Sequence, residues 1–89
     1  MQYRKLHDTD FDAATAFLAK HAATCMVLRG NLRAAGIERR RHPLSGNWFG
    51  EVAPDGGISA IVAQFGNGKV FVEVGDQKAI PKGLTAAFI

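Results

Sequence analysis

The fold of this chain is decided by the stretch from Asn47 to Gly75, which reads NWFGEVAPDGGISAIVAQFGNGKVFVEVG. Its apolar residues recur with a period near two, as in β-strands, and two glycine-containing segments interrupt them. Pro54-Asp55-Gly56-Gly57 predicts a turn, because proline presets φ and glycine accepts a positive φ. Gly66-Asn67-Gly68 predicts a hairpin with a type I′ turn, which Asn-Gly favours. We therefore expect a three-stranded antiparallel meander, with strands at 47–53, 58–65 and 69–75.

The residues before this stretch predict one short strand and a first helix. Residues 2–6 alternate between the two sides of a strand, which we expect at the edge of the sheet. Thr9 is a good N-cap, and Asp12 follows three residues later, where its carboxylate can reach back as in a capping box. Apolar residues then recur every three or four positions, which predicts an amphipathic helix at about 10–21.

A second helix is predicted to follow. Thr24 can act as its N-cap, and Gly36 suits the left-handed position that ends helices. Gly30 within it costs about 1 kcal/mol relative to alanine, which indicates close packing or a kink. The apolar face of this helix is formed by Cys25, Leu28, Leu32 and Ala35. The order of strand, helix, helix and three-stranded meander predicts the α+β class.

Length and composition bound the kind of protein. Eighty-nine residues, of which 47% are apolar, suit one globular domain spanning 1–89 and exclude a disordered chain. No window approaches the roughly 18 apolar residues of a membrane span, and the N-terminus lacks the apolar region of a secretory signal. We therefore expect a cytoplasmic protein with no membrane contact. The single cysteine and three scattered histidines match no zinc-ligand spacing, so no metal site is expected.

The predicted sheet has two apolar faces. The middle strand carries Ile58, Ala60 and Val62 on one face, and Ile61, Ala63 and Phe65 on the other. The two helices can cover one face, whereas only residues 76–89 remain for the second. We expect the native unit to continue beyond residue 89, or a second copy or another partner to pack there. The side chains predicted to face that partner are Phe71, Leu84, Phe88 and Ile89.

A basic cluster precedes the meander. It comprises Arg29, Arg33, Arg39, Arg40 and Arg41. Guanidinium groups at this density can contact phosphate on a nucleic acid or on a nucleotide-like cofactor. The other interpretation is a solvated helix end that runs into a polar loop, and the sequence leaves both open.

Four segments carry a resemblance to a known family: 17–21 (FLAKH), 26–36 (MVLRGNLRAAG), 46–50 (GNWFG) and 65–70 (FGNGKV). Together they resemble the N-terminal part of bacterial GNAT-type N-acetyltransferases, in a group where several proteins carry a degenerate first module. The resemblance implies an incomplete GNAT-like (acyl-CoA N-acyltransferase) fold: strand, helix, helix and a three-stranded antiparallel meander.

The resemblance also implies where cofactor and catalysis belong. In GNAT enzymes, a Gln/Arg-x-x-Gly-x-Gly/Ala loop after the fourth strand binds the pyrophosphate of acetyl-CoA through backbone N–H groups. Residues 76–83 of this chain do not fit that spacing, so we expect no cofactor to bind the chain alone. Acetyl-CoA would bind only if further chain or a second protomer completed the site. Glu73 falls on the fourth strand, where GNAT enzymes often place a carboxylate general base. The other interpretation is a solvent-facing or edge carboxylate of an ordinary strand.

Three functions follow as hypotheses. The first is a non-catalytic GNAT-like scaffold or partner-binding half, whose partner is a second copy or the missing C-terminal half of the same protein. The second is an acetyl-CoA-dependent N-acetyltransferase that self-association completes. A small basic nucleic-acid-binding domain ranks last, because the sheet lacks the stacking motif of RNA-binding sheets.

Overall fold

The computed structural model describes residues 2–21, 26–38, 44–66, 68–74 and 82. Within these ranges the elements are β1 (Gln2–Lys5), a 3₁₀ turn (Asp8–Asp10), α1 (Phe11–Lys20), α2 (Met26–Ala35), β2 (Gly46–Val52), β3 (Ile58–Phe65) and β4 (Val70–Glu73). The predicted α+β class and the predicted order of elements are confirmed.

The four strands form one sheet in the order β1-β2-β3-β4. Every neighbouring pair is antiparallel, and Tyr3 lies opposite Glu51 where β1 joins β2. Among the strands that the structure describes, β1 and β4 are therefore the two edges. The prediction of a meander with the N-terminal strand at its edge is confirmed.

The main core lies between the helices and one face of the sheet. Trp48 of β2 is 1% exposed, and its ring meets that of Phe65 edge-on at a centroid distance of 5.7 Å. Edge-to-face packing of this kind adds about 0.5–1.5 kcal/mol to the effect of burial. The helices supply the opposite side of the core with Ala14, Phe17, Leu18, Leu28 and Leu32.

The other face of the sheet carries a second, smaller apolar cluster. Ala60 and Val62 are buried there, and Phe49 and Val74 pack against them. The prediction that both faces are apolar is confirmed, with one correction. Ile58 packs with the helix-side core, because the register passes from Glu51↔Ala60 to Val52↔Ile58 and leaves one extra residue in β3. This β-bulge turns the first residue of the strand to the opposite face.

Both hairpins of the meander have three-residue loops. Ala53 N–H donates to Gly57 O (2.8 Å) in the first, and Phe65 N–H donates to Lys69 O (3.0 Å) in the second. The last loop residue is a glycine with positive φ in each case, 89° at Gly56 and 84° at Gly68. The predicted glycine at positive φ in the first turn is confirmed. The predicted type I′ turn is wrong, because it would need a two-residue loop; Asn67 itself lies outside the described residues.

The start of α1 differs from the prediction. The helix begins at Phe11, and the carboxylate that reaches back is that of Asp10, which accepts from His7 N–H at 2.9 Å. The assignment of Thr9 and Asp12 to this motif is therefore wrong. At the end of α2, Gly36 has φ of 69° and donates to Leu32 O at 2.8 Å, which confirms its predicted role.

Two further predictions concern α2. Gly30 is exposed, and a Cβ added to it would meet no atom within 4 Å, so it marks no close packing. The predicted apolar face is confirmed for Leu28, Leu32 and Ala35, which are all buried. Thr24 and Cys25 lie outside the described residues.

Candidate functional site

An apolar groove with a basic rim runs between α1 and α2. Its volume is about 250 Å³. Leu18 and Leu32, which are buried, and Phe11, which is half-buried, form its apolar part. The more polar lining residues are Thr15, Arg29 and Arg33. The groove thus joins apolar surface to two permanent positive charges.

Arg29 and Arg33 are the two members of the predicted basic cluster that the structure describes. They are four residues apart on α2, so they lie on the same side of the helix. Neither makes a hydrogen bond or an ion pair with the described part of the chain. Arg39, Arg40 and Arg41, also predicted to face phosphate, lie outside the described residues.

A polar cluster interrupts the second face of the sheet at Glu51. This residue is only 5% exposed, although it carries a carboxylate. The Ser59 hydroxyl donates to Glu51 Oε1, and the Tyr3 hydroxyl is also hydrogen-bonded to Glu51. The hydrogen bond to this carboxylate raises the pKa of the Tyr3 phenol above its usual value, because it favours the protonated hydroxyl. Two hydroxyl donors thus partly replace the water that burial removes from the carboxylate.

This cluster could not be predicted from the hydrophobic pattern of the sequence. Its residues come from three strands, and only the pairing of Tyr3 with Glu51 and the bulge beside Ser59 bring them together. The available signal was a glutamate within an otherwise apolar strand, which suggests a carboxylate in need of donors.

The exposed apolar side chains of β4 are Val70 and Val72, at 47% and 40% exposure. They lie on the same face of the sheet as Ala60 and Val62, since Val72 pairs with Val62. Phe71 points to the opposite face and packs against the helix-side core, 5.7 Å from the Phe65 ring. The prediction that placed Phe71 toward a partner is therefore corrected, because strand alternation gives that role to the neighbouring valines. Leu84, Phe88 and Ile89 lie outside the described residues.

Glu73, the predicted general base, is the last residue of β4 and is half-buried. It lies opposite Ile61, whose side chain belongs to the helix-side core. Glu73 and Glu51 are therefore on opposite faces of the sheet. The structure does not combine these two carboxylates into one site.

A second charged cluster holds β1 to the helices. The Asp10 carboxylate accepts from Arg4 Nη1 at 2.8 Å and from Arg4 Nη2 at 2.9 Å. The Arg4 guanidinium holds the pKa of Asp10 below its ordinary value, and the His7 N–H bond acts in the same direction. Its bidentate geometry and its buried carboxylate make this cluster a structural tie between β1 and α1.

The residues after α2 attach to the same corner. Glu38 accepts from Asp8 N–H at 2.8 Å, and its Oε1 lies 3.2 Å from His7 Nδ1. In return, Glu38 N–H donates to Asp8 Oδ1 at 3.1 Å. The Asp8 N–H bond, followed by the contact with His7, lowers the pKa of Glu38. These reciprocal bonds fix the end of α2 beside the start of α1, and so fix the helix pair that encloses the groove.

Other kinds of site have no support in the described ranges. No three His, Cys, Asp or Glu side chains there are arranged to hold a metal ion. In the same part of the chain, neither helix has the length and apolar character that a membrane crossing requires.

No protein-family model, no curated protein and no solved structure matches the chain, so its resemblance to GNAT proteins stays a prediction.

Proposed function

We propose that this chain is a non-catalytic GNAT-like module that acts as a scaffold by pairing with a second copy of itself along β4. The exposure of Val70 and Val72 on β4, an edge of the sheet among the strands that the structure describes, supports this proposal best. A β-branched edge strand offers unpaired backbone groups to another strand.

The residue order along β4 favours a second copy over an unrelated partner. In an antiparallel pair of two β4 strands centred on Phe71, Val70 lies opposite Val72 of the second copy. Lys69 lies opposite Glu73 of the second copy in the same register. β-Branched and oppositely charged cross-strand pairs each contribute about 0.2–1 kcal/mol. The two-fold axis makes every such pair occur twice, so the strand is complementary to itself.

The dimer is testable by light scattering over low to high micromolar concentrations. A four-residue edge contributes less than the roughly 1,200 Å² of stable interfaces, so we expect weak, concentration-dependent association. Val72→Lys places a charge on the edge and should leave a monomer at every concentration. Gln2→Lys is the matched control, because it adds the same charge to the other edge strand, and it should leave the dimer intact. A wild-type monomer at high micromolar concentration would refute the scaffold proposal.

A charge exchange tests the register itself. Lys69→Glu should weaken the dimer about tenfold, which corresponds to about 1.4 kcal/mol spread over two facing pairs. Glu73→Lys should do the same. The combined variant restores opposite charges across the axis and should recover wild-type association. Failure of the combined variant to recover would show that the two strands pair in another register.

The non-catalytic part of the proposal is tested with acetyl-CoA. Residues 76–83 lack the spacing of the GNAT phosphate-binding loop, so we expect no thermal shift of the chain in saturating acetyl-CoA. A rise of several degrees would contradict the proposal. Acetyl transfer by the dimer that falls on Glu73→Gln would establish the alternative, an N-acetyltransferase completed by self-association.

A further inference from the structure

We propose that the groove between α1 and α2 binds a small amphipathic anion, with its charged group on Arg29 and Arg33 and its alkyl chain along Phe11, above the apolar floor that Leu18 and Leu32 form. This groove lies on the helices, away from the β4 edge, so its test is independent of the proposed dimer. Ligand sites typically combine apolar lining with a few polar groups that fix orientation. The groove has this composition.

The charge of the ligand follows from the two arginines. Like charges four residues apart on a helix repel and destabilise it, and no carboxylate of the described ranges neutralises this pair. One anion between the two guanidinium groups would remove that repulsion. Guanidinium groups bind carboxylate and phosphate oxygens with two parallel hydrogen bonds, so either head group suits the rim.

The length of the alkyl chain follows from the volume. A group the size of water takes about 30 Å³, so a groove of about 250 Å³ holds about eight such groups. Affinity should therefore rise with each methylene up to about eight carbons and then level off. The expected gain is about fourfold per methylene, which corresponds to about 0.8 kcal/mol.

The apolar part of the groove distinguishes this ligand from a nucleic acid. A nucleic-acid site needs several cations along a backbone and flat surfaces for bases. Among the described residues, two cations flank a groove formed by Phe11, Leu18 and Leu32, which suits a flexible hydrocarbon chain. Salt-sensitive binding of a random oligonucleotide through Arg29 and Arg33, with no binding of the alkyl anion, would overturn the proposal.

The experiment is a calorimetric titration of the full chain with hexanoate, octanoate and decanoate. We expect affinity to rise about fourfold per methylene from hexanoate to octanoate and to change little at decanoate. Octyl phosphate distinguishes the two head groups, and octylammonium tests the sign of the charge. Equal binding of octylammonium, or no saturable binding of octanoate or octyl phosphate, would overturn the proposal.

Variants then place the ligand in the groove. Arg29→Gln combined with Arg33→Gln should weaken binding at least tenfold, because it removes the charged donors. Lys20→Gln removes a positive charge from the exposed end of α1 outside the groove and should leave affinity unchanged. Thr15→Phe fills the groove from an exposed position and should abolish binding while the far-ultraviolet circular dichroism stays native. Octanoate binding that survives both the double arginine variant and Thr15→Phe would refute the assignment.

Discussion

Replacing Asp10 by asparagine should be among the most damaging polar substitutions in this chain. The carboxylate accepts three hydrogen bonds, two from the Arg4 guanidinium and one from His7 N–H. Asparagine has nearly the same shape but no charge, and its amide group offers only one oxygen to these donors. The substitution therefore leaves Arg4 without its counterion and weakens the tie between β1 and the start of α1.

The size of the effect lies between two known limits. Exposed ion pairs contribute about 0–1 kcal/mol, whereas hydrogen bonds to charged groups contribute about 1.5–3 kcal/mol. The side chain of Asp10 is 9% exposed and that of Arg4 is 34% exposed, so one partner is buried and the other remains partly in water. We therefore expect Asp10→Asn to lower the free energy of unfolding by about 2 kcal/mol at pH 7. For a domain of this length, about 4–8 °C of midpoint temperature is lost per kcal/mol.

The pH dependence of the effect has a definite sign. Arg4 lowers the pKa of Asp10 in the folded state below the value of about 3.9 expected in the unfolded chain. A carboxyl group with a depressed folded pKa contributes stability above the unfolded pKa and loses it as pH falls through the folded pKa. The difference between wild type and Asp10→Asn should therefore be full at pH 7. It should narrow steadily below about pH 5.

Urea unfolding followed by circular dichroism, repeated from pH 7 downward, measures this difference. Asp12→Asn is the matched control, because Asp12 lies at the same helix end and makes no hydrogen bond or ion pair with the described residues. Its loss should cost no more than about 1 kcal/mol, from the interaction with the helix dipole. The reasoning is refuted if the two variants are equally stable at pH 7. It is also refuted if the deficit of Asp10→Asn stays constant down to the lowest pH at which the protein folds.

Two glycine substitutions are predicted to act in opposite directions. Gly30→Ala should raise the free energy of unfolding by about 1 kcal/mol, because alanine favours the helix and its Cβ meets no atom within 4 Å; a lower thermal midpoint would contradict this. Gly46→Ala should lower it by about 1–3 kcal/mol, because the new Cβ would clash with the Gln64 carbonyl oxygen and lie 2.6 Å from Phe65 Cδ1. An unchanged midpoint for Gly46→Ala in the same thermal unfolding experiment would show that the sheet relaxes at this position.

The helices and strands of this fold can be predicted from local sequence patterns. The predictions fail where residues distant in the sequence determine the local structure. The strand at 58–65 follows from the periodicity of its apolar residues, and the end of α2 follows from the positive φ of Gly36; both are local features of the sequence. The start of α1 is different. Thr9 is a sound N-cap by local rules, but the carboxylate that reaches back is that of Asp10, which accepts from His7 N–H and also from Arg4 of β1. The bulge at Ser59 likewise depends on how β2 pairs with β3.

The candidate sites show the same division. The density of five arginines within thirteen positions predicted that Arg29 and Arg33 could contact phosphate. Helix α1 forms the other side of the groove. The position of α1 beside these arginines depends on tertiary packing, which the spacing of residues along α2 does not determine. The Glu51 cluster needs the strand register as well, because its two hydroxyl donors come from β1 and β3.

The groove and the β4 edge share one hydrophobic core, although they lie on different layers. Leu18 and Leu32 line the groove and belong to the same buried cluster against which Phe71 of β4 packs. A ligand that binds only the folded chain stabilises it by RT ln(1 + [L]/Kd), and a second copy bound at β4 does so in the same way. Ligand binding and dimer formation would therefore both raise the free energy of unfolding of the domain. This matters because a domain of this size has only a small free energy of unfolding. Because both binding events stabilise the same folded state, ligand binding in the groove leaves the affinity of the dimer unchanged, and the reverse also holds. Positive coupling would require that binding at one site also orders residues of the other site beyond the shared core.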